Sequence, residues 1–532
     1  MTHADLVPTR SVYRPGEGVV LEWTGSRSPS RLVVTRLGEV VHDEQVEPRE
    51  LLVLGPFPLG GYAVRLEPVD DTHGARTAFD VLPSPVTRPR YGFLSEFGPG
   101  RTQEENDAAA LGLRRLHLTT VQFYDWAYRH ADLVGTEEEF VDICGRTLSH
   151  RTTRALIEAC QAVGAEAIGY AAVYGVGMDH ADDHPERLLY HRDGSRCSLA
   201  DLLAIGNLDA DNPWHDHIIG QFERALAAMP FDGLHLDTYG SPKIAWDHEG
   251  RPVDLAEQFP PFLREVRRRL PEATLFFNNV NDYPTWASTT TPLDTTYIEV
   301  WDPHKEYRHL VTLIEAARLS APGRPVVLAA YLVPYADGST PGADWAARLA
   351  LATVLSHGGH HLLCGEGNGV LTHPYYPSFA RVGEPTMRLL RDQLDFAVAN
   401  GDLLHAPEGR TITHSHLSGD ENDDLVVEAP VAVAPDPREG SLWVVARTSL
   451  EGLTLHLIDL SAQTSLEWNR PKEPGRPLEG VSVRVRWAGD RLLFGSPDRG
   501  PDLVDLDATR DGDYLVATLP AFTAWGMVHL PR

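Results

Sequence analysis

The sequence predicts an α/β protein, a (β/α)8 TIM barrel flanked by an N-terminal and a C-terminal β-sandwich domain. Three observations carry that expectation. Between Tyr91 and about Asp402, short apolar runs alternate with longer amphipathic stretches. On either side the chain changes to closely spaced runs of period two between Pro and Gly turns. A chain of 532 residues also exceeds what one hydrophobic core accommodates. The predicted divisions are 1–88, an immunoglobulin-like sandwich, 89–402, the barrel, and 403–532, the second sandwich.

In the first unit, residues 19–23, 31–34 and 62–66 alternate apolar and polar side chains, and 83–89, with three prolines, reads as a linker. Eight strands are then predicted at 91–97, 116–125, 165–173, 233–237, 274–278, 295–300, 325–331 and 360–365. The helices between them have readable ends. Thr136 with Glu139 has the spacing of a capping box, and Asn212-Pro213 is an N-cap followed by proline at the first helical position. Helices over 345–357 and 384–400 are expected to close at Gly358 and Gly401. Beyond Asp402, strand patterns return at 442–445, 453–457, 481–485, 515–519 and 526–530.

Charge and composition exclude several functions. The formal charge of −28 repels phosphate backbones and anionic headgroups, so neither nucleic acid nor membrane is an expected partner. A neutral ligand such as a sugar is compatible with that field. Residues 1–20 hold no apolar stretch of the secretory kind, which predicts a cytoplasmic protein, or a secreted one if a leader has been removed. The run 326–333 is too short to span a bilayer. Cys144, Cys160, Cys197 and Cys364 are scattered, so reduced and mostly buried thiols are expected rather than a zinc site or disulfides. His357, His360 and His361 do not assemble a defined ligand set, and no metal or cofactor is predicted. No oligomeric state is predicted.

In a (β/α)8 barrel the chemistry sits at the carboxyl ends of the strands. Those ends carry Glu96, Gln122, Tyr124, Asp125, Asp237, Asn278, Asn279, Glu299, Tyr331 and Glu366. Strand alternation points His235 and Asp237 the same way, toward the barrel mouth. Glu299 closes a strand two further round, just before Trp301. Two opposed carboxylates are what glycoside hydrolysis requires, one to attack the anomeric carbon and one to protonate the leaving oxygen. Tyr124, Trp126, Tyr239, Trp301, Tyr375 and Tyr376 are flat apolar surfaces for sugar rings, beside the hydrogen-bonding groups Asp125 and Asn278.

Three segments, 91–97 (YGFLSEF), 121–130 (VQFYDWAYRH) and 233–240 (GLHLDTYG), resemble glycoside hydrolase family 66, the dextranases and cycloisomaltooligosaccharide glucanotransferases. The resemblance covers roughly 91–400, and its QFYDW run is the most specific part. It implies that Asp237 is the nucleophile and Glu299 the general acid/base. It implies a substrate of dextran or isomaltooligosaccharides, cleaved at α-1,6 linkages with retention. The expected substrate-binding residues are Gln122, Tyr124, Asp125, Trp126, His235, Tyr239, Asn278, Trp301 and Glu366. Cyclising members of the family carry an inserted carbohydrate-binding module, for which the segments after Tyr331 and Glu366 are too short. Transglycosylation, hydrolysis of cyclic isomaltooligosaccharides, and a non-catalytic glycan-binding protein are the alternatives.

Overall fold

The computed structural model describes residues 4–25, 28–69, 74–419 and 422–532. Its centre is a curled parallel sheet of β1 (Tyr91–Leu94), β2 (Thr120–Phe123), β3 (Glu166–Ala172), β4 (Gly233–Asp237), β5 (Thr274–Val280), β6 (Thr296–Glu299), β7 (Val326–Ala329) and β8 (Gly359–His361). Each strand pairs in parallel with the next. All eight fall within or beside the predicted segments. Their inward side chains, among them Tyr91, Phe93, Ile168, Phe276, Tyr297 and Val327, pack together inside the curl.

The expected closed barrel needs one correction. After β8 the chain continues into a two-residue strand, Cys364–Gly365, which meets β1 through the single pairing Gly365 to Phe93. The sheet thus returns to its start through a chain segment rather than a continuous hydrogen-bonded ladder. It also runs on into antiparallel pieces, Gly369–Val370 and Ala380–Arg381, to make eleven strands. The residue at that junction has to be glycine, because a Cβ on Gly365 would lie 2.4 Å from the Phe93 ring.

Seven main helices lie outside the sheet: α1 (Gln103–Arg115), α2 (His150–Ala162), α3 (Pro213–Ala228), α4 (Leu255–Arg269), α5 (Tyr307–Ser320), α6 (Pro341–Ser356) and α7 (Glu384–Ala399). Between β5 and β6 only the single turn Thr285–Ser288 is helical. Asn212 caps α3 by accepting from Trp214 N, as predicted. The capping box at Thr136 and Glu139 does not form. Glu139–Val141 is instead a short strand paired with Thr147–Ser149, its alternation burying Phe140, and Ser149 caps α2. The capping box that does form is Thr102 with Glu105, at α1. Helix α6 ends just before Gly358, which adopts φ +81°. Gly401 does not stop α7 in a left-handed turn; it opens another short helix, Gly401–Leu404.

Before the central sheet, a three-stranded and a four-stranded antiparallel sheet enclose a core around Trp23, Tyr62 and Phe79. After it, a seven-stranded and a four-stranded sheet do the same around Leu455, Val483 and Phe494. Helix α7 touches both flanks: Val398 and Ala399 pack on Ala63 and Ala78, and Phe396 meets Trp525 edge-on at 5.1 Å. The 83–89 segment contains a 3-10 turn, Pro85–Thr87, and is followed by the buried ion pair Arg90–Asp80 at 2.7 Å. No helix among the described residues is long and apolar enough to cross a membrane.

Candidate active site

Because the strands are parallel, their carboxyl ends form one rim, and side chains from consecutive strands converge there. The register pairs Ala172 with Asp237 and Val280 with Glu299, which brings the ends of β3 to β6 level. They open on a cleft of roughly 560 Å³ lined by Gln122, Tyr124, Asp125, Tyr170, His235, Asp237, Tyr239, Asn278, Glu299, Trp301, Tyr331 and Tyr376. That is an ordinary size for a ligand site. A depression of roughly 640 Å³ lies between α1, α7 and the flanking sheets, but no aromatic ring lines it, and its charged groups include the Arg391–Asp5 pair.

At the centre of the cleft the two carboxylates share a donor. Asn278 Nδ2 donates to Asp237 Oδ1 at 2.7 Å and to Glu299 Oε2 at 3.0 Å. Those two oxygens are therefore at most about 5.7 Å apart, the two bonds laid end to end. Tyr170 OH donates to Asp237 Oδ2 at 2.7 Å, and Tyr331 OH donates to Glu299 Oε1 at 2.8 Å.

Burial, with the Glu299 charge second, pushes the Asp237 carboxyl up to about 7 against the pull of Asn278 and Tyr170. Burial also raises Glu299, while Asn278, Tyr331 and Trp301 act to lower it. Two such neighbours titrate as a coupled unit.

Around the pair, Tyr124 stacks on Tyr376 at 4.3 Å and Trp301 tilts against Tyr331 at 5.7 Å. Asp125 turns into the cleft through a left-handed backbone, φ +52°. Burial raises its carboxyl to about 6, while the Arg146 guanidinium 3.8 Å away acts to lower it. His235 is buried against Tyr91 OH, 3.0 Å from Nδ1, and burial drives it down to about 3, so it stays neutral. Two buried acceptors, Gln122 Oε1 and Asn278 Oδ1, have no hydrogen-bond partner in the described protein. A ligand rich in hydroxyl donors satisfies such atoms.

Two predicted binding residues are not in the cleft. Trp126 is fully buried in the core, its Nε1 donating to the Tyr170 carbonyl at 3.1 Å. Glu366 is also buried: it accepts from Ser95 N at 2.7 Å and Glu96 N at 2.9 Å and pairs with Arg101 at 3.1 Å. It clamps the β1 exit loop rather than a ligand. Tyr170 was missed, although it shares strand parity with inward-facing Ile168 and was readable on that ground. Leu199 and Leu202, on a hairpin in the β3–α3 excursion, and Cys144, the one exposed thiol, also line the cleft. No local pattern announces those three. Among the described residues no group of His, Cys, Asp and Glu could hold a metal ion.

A curled parallel sheet that presents two bridged carboxylates in an aromatic-walled cleft defines an enzyme of the glycoside hydrolase type. The chain belongs to glycosyl hydrolase family 66, whose family model matches residues 9–529. It is 30% identical over 327 residues to a cycloisomaltooligosaccharide glucanotransferase of Niallia circulans, covering 56% of this chain and 33% of that protein. A second protein of that description and organism is 21% identical over 618 residues, covering 86% of this chain and 63% of the relative. The chain thus spans less than two thirds of the length of these curated relatives. The crystal structure of a Paenibacillus sp. cycloisomaltooligosaccharide glucanotransferase complexed with cycloisomaltoheptaose superposes with a TM-score of 0.87 at 19% identity, covering 99% of this chain and 100% of that one.

Proposed function

We propose that the protein is a retaining, dextranase-like enzyme that cleaves α-1,6-glucosidic linkages of dextran or isomaltooligosaccharides by double displacement. The observation that carries the reading is the Asp237–Asn278–Glu299 bridge. The two oxygens it bridges are at most about 5.7 Å apart, which supports the close spacing of a retaining pair, ~5–5.5 Å between carboxyl groups, over the ~6.5–9.5 Å that an inverting enzyme needs for its water. The linkage is supported by the relatives' description as cycloisomaltooligosaccharide glucanotransferases and by the cycloisomaltoheptaose bound to one of them.

Asp237 attacks C1 while Glu299 protonates the departing 6-oxygen, and Glu299 then deprotonates the incoming acceptor. Burial raises both carboxyls, and the reaction needs the proton on Glu299 and the charge on Asp237. A glycosidic oxygen beside Glu299 accepts its proton, and positive charge developing at C1 favours the Asp237 carboxylate.

When water is the acceptor the enzyme is a hydrolase. Transfer to a sugar hydroxyl is the second reading, favoured by the glucanotransferase relatives. Incubation with dextran, isomaltotetraose, cyclic isomaltooligosaccharides and starch, followed by thin-layer chromatography, tests both. Shorter linear products from the α-1,6 substrates are expected, with longer or cyclic products if transfer dominates. Faster release from starch than from dextran would sink the linkage assignment. No turnover of any glycan would leave a binding protein.

A further inference from the structure

Trp286 and Trp301 are the two aromatic members of the large apolar side chains left exposed in the described chain, at 60% and 39%. Both stand on loops that follow neighbouring strands, β5 and β6, on the cleft side of the sheet. Asn281 fastens those loops together. Its Nδ2 donates to the Asp302 carbonyl at 2.7 Å, its Oδ1 accepts from Trp301 N at 3.3 Å, and its own N donates to the Glu299 carbonyl at 2.7 Å. Asn281 and Asp282 both take left-handed backbone, φ +54° and +69°, a conformation that Asn and Asp adopt more readily than other residues with a side chain.

Beyond that turn Tyr283 is buried, with Lys243 Nζ 4.7 Å from its ring centre, and Trp286 packs edge-on against Tyr283 at 5.6 Å. The indole is therefore held in place yet mostly bare. Val280, Asn281 and Trp301 line the cleft, and Trp286 follows Asn281 on the segment that leaves it, in the turn Thr285–Ser288. An exposed indole fixed beside a binding cleft is a ready surface for an amphipathic ring.

We propose that Trp286, backed by Tyr283, is an outer binding platform for the glucan chain, which leaves the cleft past Trp301 and stacks a sugar ring on the indole at a distance from the scission point. The ligand class, a neutral polymer of hexopyranose units, rests on the α-1,6-glucan reading above. The platform engages only chains long enough to reach it. Binding energy from a part of the substrate remote from the reaction therefore appears as a dependence of kcat/KM on chain length.

The test compares kcat/KM for dextran with kcat/KM for isomaltotetraose in the wild type, Trp286→Ala and Trp286→Phe. The dextran-to-tetraose ratio should fall roughly three- to tenfold in Trp286→Ala, through KM for dextran, and recover largely in Trp286→Phe. An unchanged ratio, or an equal loss on both substrates, overturns the platform. Electrophoresis in dextran-containing native gels reads binding without turnover. On an Asp237→Asn background Trp286→Ala should be less retarded, and identical mobility overturns the inference. Absence of turnover on every α-1,6 substrate would instead defeat the proposed activity, and the gels would still decide the platform.

Discussion

Asp237 and Glu299 are tied to one another through a single amide, since both hydrogens of Asn278 Nδ2 are committed, one to each carboxylate. The spacing of the pair and the pKa of each member thus both respond to this side chain. Asn278→Ala removes a donor from both carboxylates at once. Its kcat on isomaltooligosaccharides should fall about a hundredfold, the order seen when a single preorganised donor is deleted from an active site. Circular dichroism should show the fold retained. A loss of less than about threefold would mean that the bridge does not matter in the reacting complex.

The two tyrosines allow the limbs of the pH profile to be assigned separately. Activity requires one proton on the pair, so it fails on the acid side when the second proton arrives and on the alkaline side when the last one leaves. Donation to a carboxylate lowers its pKa, and removing the donor raises it. Tyr170→Phe should therefore move the acid limb of kcat/KM to higher pH by acting on Asp237, and Tyr331→Phe should move the alkaline limb to higher pH by acting on Glu299. A stopped assay from pH 4 to 9 reads both. Shifts on the opposite limbs would exchange the roles of the carboxylates.

The raised Asp237 carboxyl also fixes the sign of a stability change. As pH climbs from near 4 to about 7, the unfolded chain has already released a proton that the folded chain keeps, so stability falls across that window. Asp237→Asn should flatten the fall and melt at higher temperature than the wild type at pH 7, by calorimetry. A steeper fall in the variant would show that the carboxyl is not held above its usual range.

Azide separates nucleophile from acid/base. With an activated donor that needs no proton, Glu299→Ala should still be glycosylated at Asp237, stall for lack of a base, and release an α-glycosyl azide. Asp237→Ala cannot form the covalent intermediate, so azide entering the vacated face should give the β product. Proton NMR distinguishes them, and an exchange of α and β between the variants would reverse the assignment.

Glu366 should matter to stability rather than to binding. Glu366→Ala takes the shared acceptor from the amides of Ser95 and Glu96 and one partner from Arg101, which keeps Asn106 Oδ1 at 2.8 Å; a buried donor left unsatisfied costs about 1–3 kcal/mol. A lowered melting temperature is expected, with KM near that of the wild type for the protein that remains folded. A raised KM at unchanged stability would return Glu366 to the ligand.

Much of this protein was legible in its sequence because strands repeat every two residues and parallel strands present their carboxyl ends together. That periodicity located all eight central strands and the β-rich flanks, and it turned His235, Asp237 and Asn278 toward one cleft. Strand parity ends where the strand ends, however. Trp126 and Glu366 lie just beyond β2 and Cys364–Gly365, where neighbouring loops set the direction of a side chain. One was drawn into the core and the other into a clamp with Ser95, 271 residues away in sequence. The same limit hid the 139–149 hairpin, where burial of Phe140 and Leu148 outweighed a local capping motif. Which oxygen each donor reaches, and hence the shared Asn278 amide and the raised carboxyls, depends on the register between β4, β5 and β6 and on the exclusion of water from the cleft. Those are distances between strands, decided only when the sheet curls and packs.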